Sequence, residues 1–176
     1  TSCNDYRIIH SCSQIEINIS PEVAMRKLFA ILIAIAGTSS IAHADLIKTK
    51  DQAAVCSNGK QATFIVSESK SNDWFVYFEG GGVAISPDAY KKRKSRWKKP
   101  RTDKNYGLDY PIVKDFKKKG FNVVVIPYCT SDLHQGAHTN IVDGKKVYFH
   151  GRKIVEDVFN QMHGKFKSAN KLVFAG

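Results

Sequence analysis

The run Trp74-Phe75-Val76-Tyr77-Phe78 leads straight into Glu79-Gly80-Gly81-Gly82, and no other stretch constrains the fold as tightly. Its apolar residues are all aromatic or β-branched, which suits a strand covered on both faces. Glycine then admits positive φ and leaves room for another group to approach the backbone. Peptide N–H groups in such a turn can face a ligand oxygen, as in an oxyanion hole or an anion cradle. A plain strand-to-loop turn uses the same residues. The far end of the chain carries a related signal: Lys171-Leu172-Val173-Phe174-Ala175 reads as a second buried strand and meets Gly176.

Between and around these strands the periodicities set a coarse order of strand-strand, helix-strand, helix-strand. Residues 45–59 are irregular and polar. Ala62 to Val66 is a strand, and the short polar link over 67–73 joins it to 74–78, which predicts an antiparallel hairpin. Residues 84–105 form a loop or short helix. Tyr110 to Lys119 is an amphipathic helix with Ile112, Val113 and Phe116 on one face and Gly120 as its stop. Phe121 to Pro127 is a buried β-branched strand. A helix followed by such a strand is the pattern of a parallel sheet with right-handed crossovers. Tyr128 to Asn140 is a polar loop, placed where open parallel sheets gather their sites. Residues 142–151 make a hairpin or loop turning at Asp143-Gly144. Arg152 to Phe166 is a helix whose Ile154, Val155, Val158, Phe159 and Met162 read as core. The fold class is therefore α/β, with an N-terminal hairpin, parallel strands and crossover helices.

Met25-Arg26-Lys27, the apolar run from Leu28 to Ala36 and Ala42-His43-Ala44 have the layout of a secretory signal over 25–44, with the mature chain from Asp45. The apolar run is too short to span a bilayer. Residues 1–24 precede that start and are read as a non-native upstream extension. The mature part, 45–176, then holds Cys56 and Cys129. An exported chain with two cysteines suggests one disulfide, with two buried thiols as the alternative. The expected location is secreted or periplasmic.

The chain has 27 basic and 16 acidic residues and a net charge of +11. Much of the excess lies in Lys91, Lys92, Arg93, Lys94, Arg96, Trp97, Lys98, Lys99 and Arg101. This run is either a solvated insertion or a docking patch for a polyanion, with Trp97 able to stack on a sugar or a base. No nucleic-acid-binding motif frames it.

Four stretches together carry a resemblance. They are Cys56-Ser57-Asn58-Gly59 with Ala62-Thr63-Phe64; Trp74 through Gly82; Ile126-Pro127-Tyr128-Cys129-Thr130-Ser131-Asp132-Leu133-His134-Gln135-Gly136; and Leu172 through Gly176. In order and spacing they resemble the pectin acetylesterase and Notum carboxylesterase family of α/β-hydrolases. The resemblance implies a serine esterase acting on an acylated saccharide or other ester, without cofactor or metal. It makes the N–H groups of Gly81 and Gly82 oxyanion donors and gives Asp132 and His134 pocket-lining roles. The strand ending at Gly176 would open the nucleophile elbow Gly-x-Ser-x-Gly, so the Ser is expected two residues after Gly176, with the catalytic Asp and His further on. On this reading the chain is the N-terminal part of such a domain, incomplete at the elbow and inactive alone. Val83 and Ala84 stand where family members often carry Trp and Cys. Cys129, His134 and His138 lack the spacing of a tight metal site. The reading from another class is a small exported polyanion-binding protein using residues 91–101.

Overall fold

The computed structural model describes residues 43–176. The expectations for residues 1–24 and for the leader up to residue 42 lie outside these. Five strands form one mixed sheet: β1 (Ala44–Lys48), β2 (Thr63–Ser67), β3 (Asp73–Phe78), β4 (Asn122–Ile126) and β7 (Lys171–Ala175), in the order β1-β2-β4-β3-β7. β3 is parallel to both β4 and β7, whereas β2 runs antiparallel to β1 and β4. β5 (His138–Val142) and β6 (Lys145–Phe149) form a separate hairpin. The helices are α1 (Pro87–Lys91), α2 (Pro111–Lys118) and α3 (Gly151–Lys167). Among the described residues, no helix is long and apolar enough to cross a membrane.

Two features correct the sequence reading. The expected hairpin of 62–66 with 74–78 does not form, because β4 lies between them. Asn122, at the start of β4, holds the polar link in place. Its Oδ1 accepts from Ser69 N at 2.7 Å, and its Nδ2 donates to the carbonyls of Ser71 and Asp73 at 2.8 and 3.1 Å. The link thus crosses the end of β4 and does not make a tight turn. The antiparallel partner of β2 at the N-terminal side is β1, in a segment expected to be irregular, with Leu46 opposite Ile65.

Alternation along the strands divides the core into two layers. Phe64, Val66, Trp74, Val76, Val124 and Ile126 pack against Ile154, Val158 and Met162 of α3. Ile65, Phe75, Val123 and Val125 pack against Val113 and Phe116 of α2. The chain steps from β3 one way across the sheet to β4, then back past β3 to β7. Right-handed connections in opposite directions place their helices on opposite faces, which is how α2 and α3 lie. The carboxyl ends of β3, β4 and β7 consequently meet at one edge of the molecule.

Cys56 and Cys129 form a disulfide with Cα atoms 5.1 Å apart, closing a separation of 73 residues. Chain-entropy accounting assigns such a closure about 4 kcal/mol. It fixes the loop after β4 to the segment before β2, where Ser57 N also donates to Cys129 O at 2.9 Å.

Candidate active site

β3 ends at Phe78, and the glycines run out over Tyr128. A methyl group on Gly81 would sit 2.6 Å from Tyr128 Cδ1 and 2.9 Å from Trp97 Nε1, so the close approach requires glycine. Gly82 has φ +75°. Its carbonyl accepts from the Tyr128 hydroxyl at 2.8 Å and from Arg93 Nη2 at 3.1 Å. Among the described residues, the N–H groups of Gly80, Gly81 and Gly82 donate to no protein acceptor.

Glu79 and Arg101 are 7% and 8% exposed and form an ion pair, with Arg101 Nη2 3.0 Å from Glu79 Oε2. The same carboxylate accepts from Tyr128 N at 2.8 Å and from the hydroxyl of Tyr106. Burial first, then the carboxylate beside it, raises the Tyr106 pKa above its ordinary value, so this hydroxyl stays a donor. Glu79 therefore fixes the start of the loop after β4. Arg101, read from the sequence with the exposed basic run, lies inside instead.

The loop after β4 is held by Asp132. Its carboxylate accepts from Thr130 Oγ1 at 2.5 Å, from His134 N at 3.1 Å and from Gly151 N at 2.8 Å. The last of these places a carboxylate at the positive end of α3. Ser131, Leu133 and His134 all have positive φ, near 60°, a conformation that non-glycine residues adopt at a cost and retain where the surroundings enforce it. His134 Nε2 lies 3.0 Å from the carbonyl of Glu79. A carbonyl only accepts, so Nε2 carries the proton. Burial lowers the pKa of this imidazole against the opposing pull of the Glu79 carbonyl and the nearby carboxylates.

Phe78, Gly80, Gly81, Tyr128, Leu133, His134, Val155 and Gly176 surround a cavity of about 440 Å³. Gly81 and Gly176 thus border one space at the carboxyl ends of the parallel strands. Gly176 lies beside β3, where an added methyl group would be 3.0 Å from Phe78 Cβ. Gly82 is not among the lining residues, and Asp132 borders a different cavity beneath the β5–β6 hairpin. Val155, read as core, faces the site cavity. Tyr128, the floor of the glycine loop, was visible in the sequence only as an aromatic residue at a strand end.

The basic run is partly turned inward. Arg93 bonds the glycine loop and stacks 4.2 Å from the Trp97 ring, and Arg96 lies 4.6 Å from the same ring. Lys91 pairs with Asp88 and Asp143, and Lys98 Nζ donates to Lys91 O at 3.2 Å. Lys92, Lys94 and Lys99 are exposed. Cys129 is committed to the disulfide, and His138 stacks on Phe149.

The chain is 29% identical to palmitoleoyl-protein carboxylesterase notum2 of Xenopus laevis over 138 residues, 72% of this chain and 28% of that protein. Its identity to palmitoleoyl-protein carboxylesterase NOTUM is 28% over 131 residues in Mus musculus and 25% over 140 residues in Schmidtea mediterranea. Each of those alignments covers 69% of this chain, against 26% and 25% of the relatives' lengths. The chain therefore spans roughly a quarter of the curated relatives it matches. The Pectinacetylesterase family pattern matches residues 36–176, and the chain belongs to that family.

Proposed function

We propose that these residues carry the oxyanion-binding half of an exported serine carboxylesterase site that deacylates a saccharide or other ester. The observation that carries this reading is the shared cavity between Gly81, whose N–H has no partner among the described residues, and Gly176. A serine two residues after Gly176 would attack the ester carbonyl carbon. The carbonyl electron pair would move onto oxygen, facing the glycine amides, and the serine proton would pass to a histidine. Collapse would expel the alcohol with that proton and leave an acyl-enzyme for water to cleave. That histidine is expected after the serine, as in the family, while His134, whose Nε2–H donates to the Glu79 carbonyl, serves as a pocket wall. One well-aimed donor contributes about 2.7–4 kcal/mol to such a transition state, and only when a nucleophile attacks.

The apolar walls Phe78, Tyr128, Leu133 and Val155 suit the acyl part of an ester. The relatives' name, palmitoleoyl-protein carboxylesterase, makes a long acyl chain one candidate, and acetyl on a saccharide is the other. The disulfide suits an oxidising compartment, secreted or periplasmic. The test uses p-nitrophenyl esters from acetate to long acyl chains. The 176-residue chain is expected to show no turnover above background. Extension through the Ser, Asp and His region is expected to restore turnover, and Gly81→Ala in that extended protein to reduce it by about 100-fold. Turnover by the 176-residue chain itself would overturn the assignment.

A further inference from the structure

Glycine peptides reorient at little cost, because glycine accepts either sign of φ. A loop built from Gly80, Gly81 and Gly82 can therefore turn carbonyls as readily as N–H groups toward an incoming oxygen, and a carbonyl there would repel developing negative charge. Something outside the loop has to choose. We propose that Tyr128 and Arg93 are positioning residues that limit this reorientation by gripping the Gly82 carbonyl at the end of the loop, which rests on the esterase reading above.

The geometry closes on itself. The Tyr128 hydroxyl donates to Gly82 O at 2.8 Å and accepts from Leu133 N at 2.7 Å, so its capacity is used on both sides. Its main chain is fixed by Glu79, 2.8 Å from Tyr128 N. Its ring fills the space that a Gly81 side chain would need. Arg93 reaches the same carbonyl with Nη2 at 3.1 Å and Ser131 Oγ with Nε at 3.3 Å. Ala84 N donates to Ser131 O at 2.9 Å, tying the end of the glycine loop to the same neighbour. In a trans peptide the carbonyl and the following N–H point opposite ways. Holding Gly82 O against Tyr128 and Arg93 stops the Gly82–Val83 peptide from flipping and so anchors the end of the loop that carries the Gly81 and Gly82 N–H groups. Arginine suits this bridge because its planar fork meets two acceptors at once, whereas lysine offers a single point of charge. Burial raises the Tyr128 pKa, which keeps the hydroxyl a donor. One residue of the basic run thus works inward, on the loop, and not outward on a polymer.

The test pairs Tyr128→Phe and Arg93→Lys with two readouts. In the 176-residue chain, NMR shifts at Gly81, Gly82 and Val83 and hydrogen exchange at the bonded amides of Leu133 and Ala84 report the loop directly. Both variants should change these shifts and speed exchange of Leu133 and Ala84 by about tenfold, while β4 amides stay as they are. In the extended protein, both should lower kcat by about 10- to 100-fold with KM little changed, Tyr128→Phe more than Arg93→Lys. Arg93→Gln, which keeps donors but loses the charge, should retain more activity than Arg93→Ala. Loop amides unchanged in both variants would overturn the proposal. So would a kcat within twofold of the parent alongside a lowered Tm, which marks purely structural residues. If the extended parent turns over no ester, the esterase reading fails on its own, and the exchange data still decide whether Tyr128 and Arg93 set the loop.

Discussion

The two ends of the parallel strands are built on opposite rules. At the amino end, polar groups are paired with one another. Asn122 makes three hydrogen bonds to the link over 69–73, Ser69 Oγ donates to Gly120 O, and Asn170 N donates to Asn72 O at 3.0 Å. At the carboxyl end, the glycine amides lack protein acceptors among the described residues, non-glycine residues take positive φ, and a carboxylate and a guanidinium are buried together. Native interiors normally pair their polar groups, and strained backbone persists where a site requires it. Under the proposed esterase reading, one end serves stability and the other serves chemistry.

The sharpest way to break this division is at the buried ion pair. Arg101→Ala leaves Glu79 buried without its cation and should cost about 3–5 kcal/mol. Chemical denaturation measures that cost, hydrogen exchange should show the Tyr128 amide opening with it, and NMR shifts should show the glycine loop moving. Glu79→Gln combined with Arg101→Met should recover much of the loss, because the uncompensated charge is then gone. A cost under about 1 kcal/mol for Arg101→Ala would mean that the pair is solvated and does not anchor the site.

A smaller effect is expected at the other end. Asn122→Ala removes three hydrogen bonds from a residue that is 2% exposed and should cost about 1–3 kcal/mol. The NMR shifts of the Gly81 and Gly82 amides and the exchange of Tyr128 should not change. If they change as much as in Arg101→Ala, the two ends are one cooperative unit and the division of labour is wrong.

The same contrast explains what could be read in the sequence. β3, β4, β7, α2 and α3 stand out because each buries a local apolar pattern, and Asp143-Gly144 announces its turn because both residues take positive φ. The order of strands was not legible. Placing β4 between β2 and β3 depends on Asn122 meeting Ser69, Ser71 and Asp73, contacts about 50 positions apart. β1 was missed because only Leu46 and Ile47 carry its apolar signal, as befits an edge strand. At the site, the glycines and His134 were visible as residue types. Arg101 was indistinguishable from its basic neighbours until Glu79, 22 residues earlier, was seen to receive it. Tyr128 looked like the end of a strand, since its role depends on a hydroxyl meeting a carbonyl 46 residues away.

The smallest expected effect is a pH dependence confined to the carboxyl end. His134 is held neutral by burial, with its pKa lowered from the ordinary 6.5. Below that value the unfolded chain takes up a proton that the folded chain resists. Its contribution to stability is therefore complete above pH 6.5 and is lost as the pH falls through the lowered folded value. The nearby Asp132 and Glu79 carboxylates attract the imidazolium and moderate the loss. His134→Gln keeps a side-chain N–H for the Glu79 carbonyl but cannot titrate. Between about pH 7 and pH 5, the parent should lose stability relative to this variant in denaturant titrations, and the gap should stop widening below the folded pKa. Asn122→Ala should leave that pH-dependent gap intact, because it acts at the other end of the strands. A gap that is flat with pH would place His134 in solvent and remove it from the wall of the cavity it shares with Gly81 and Gly176.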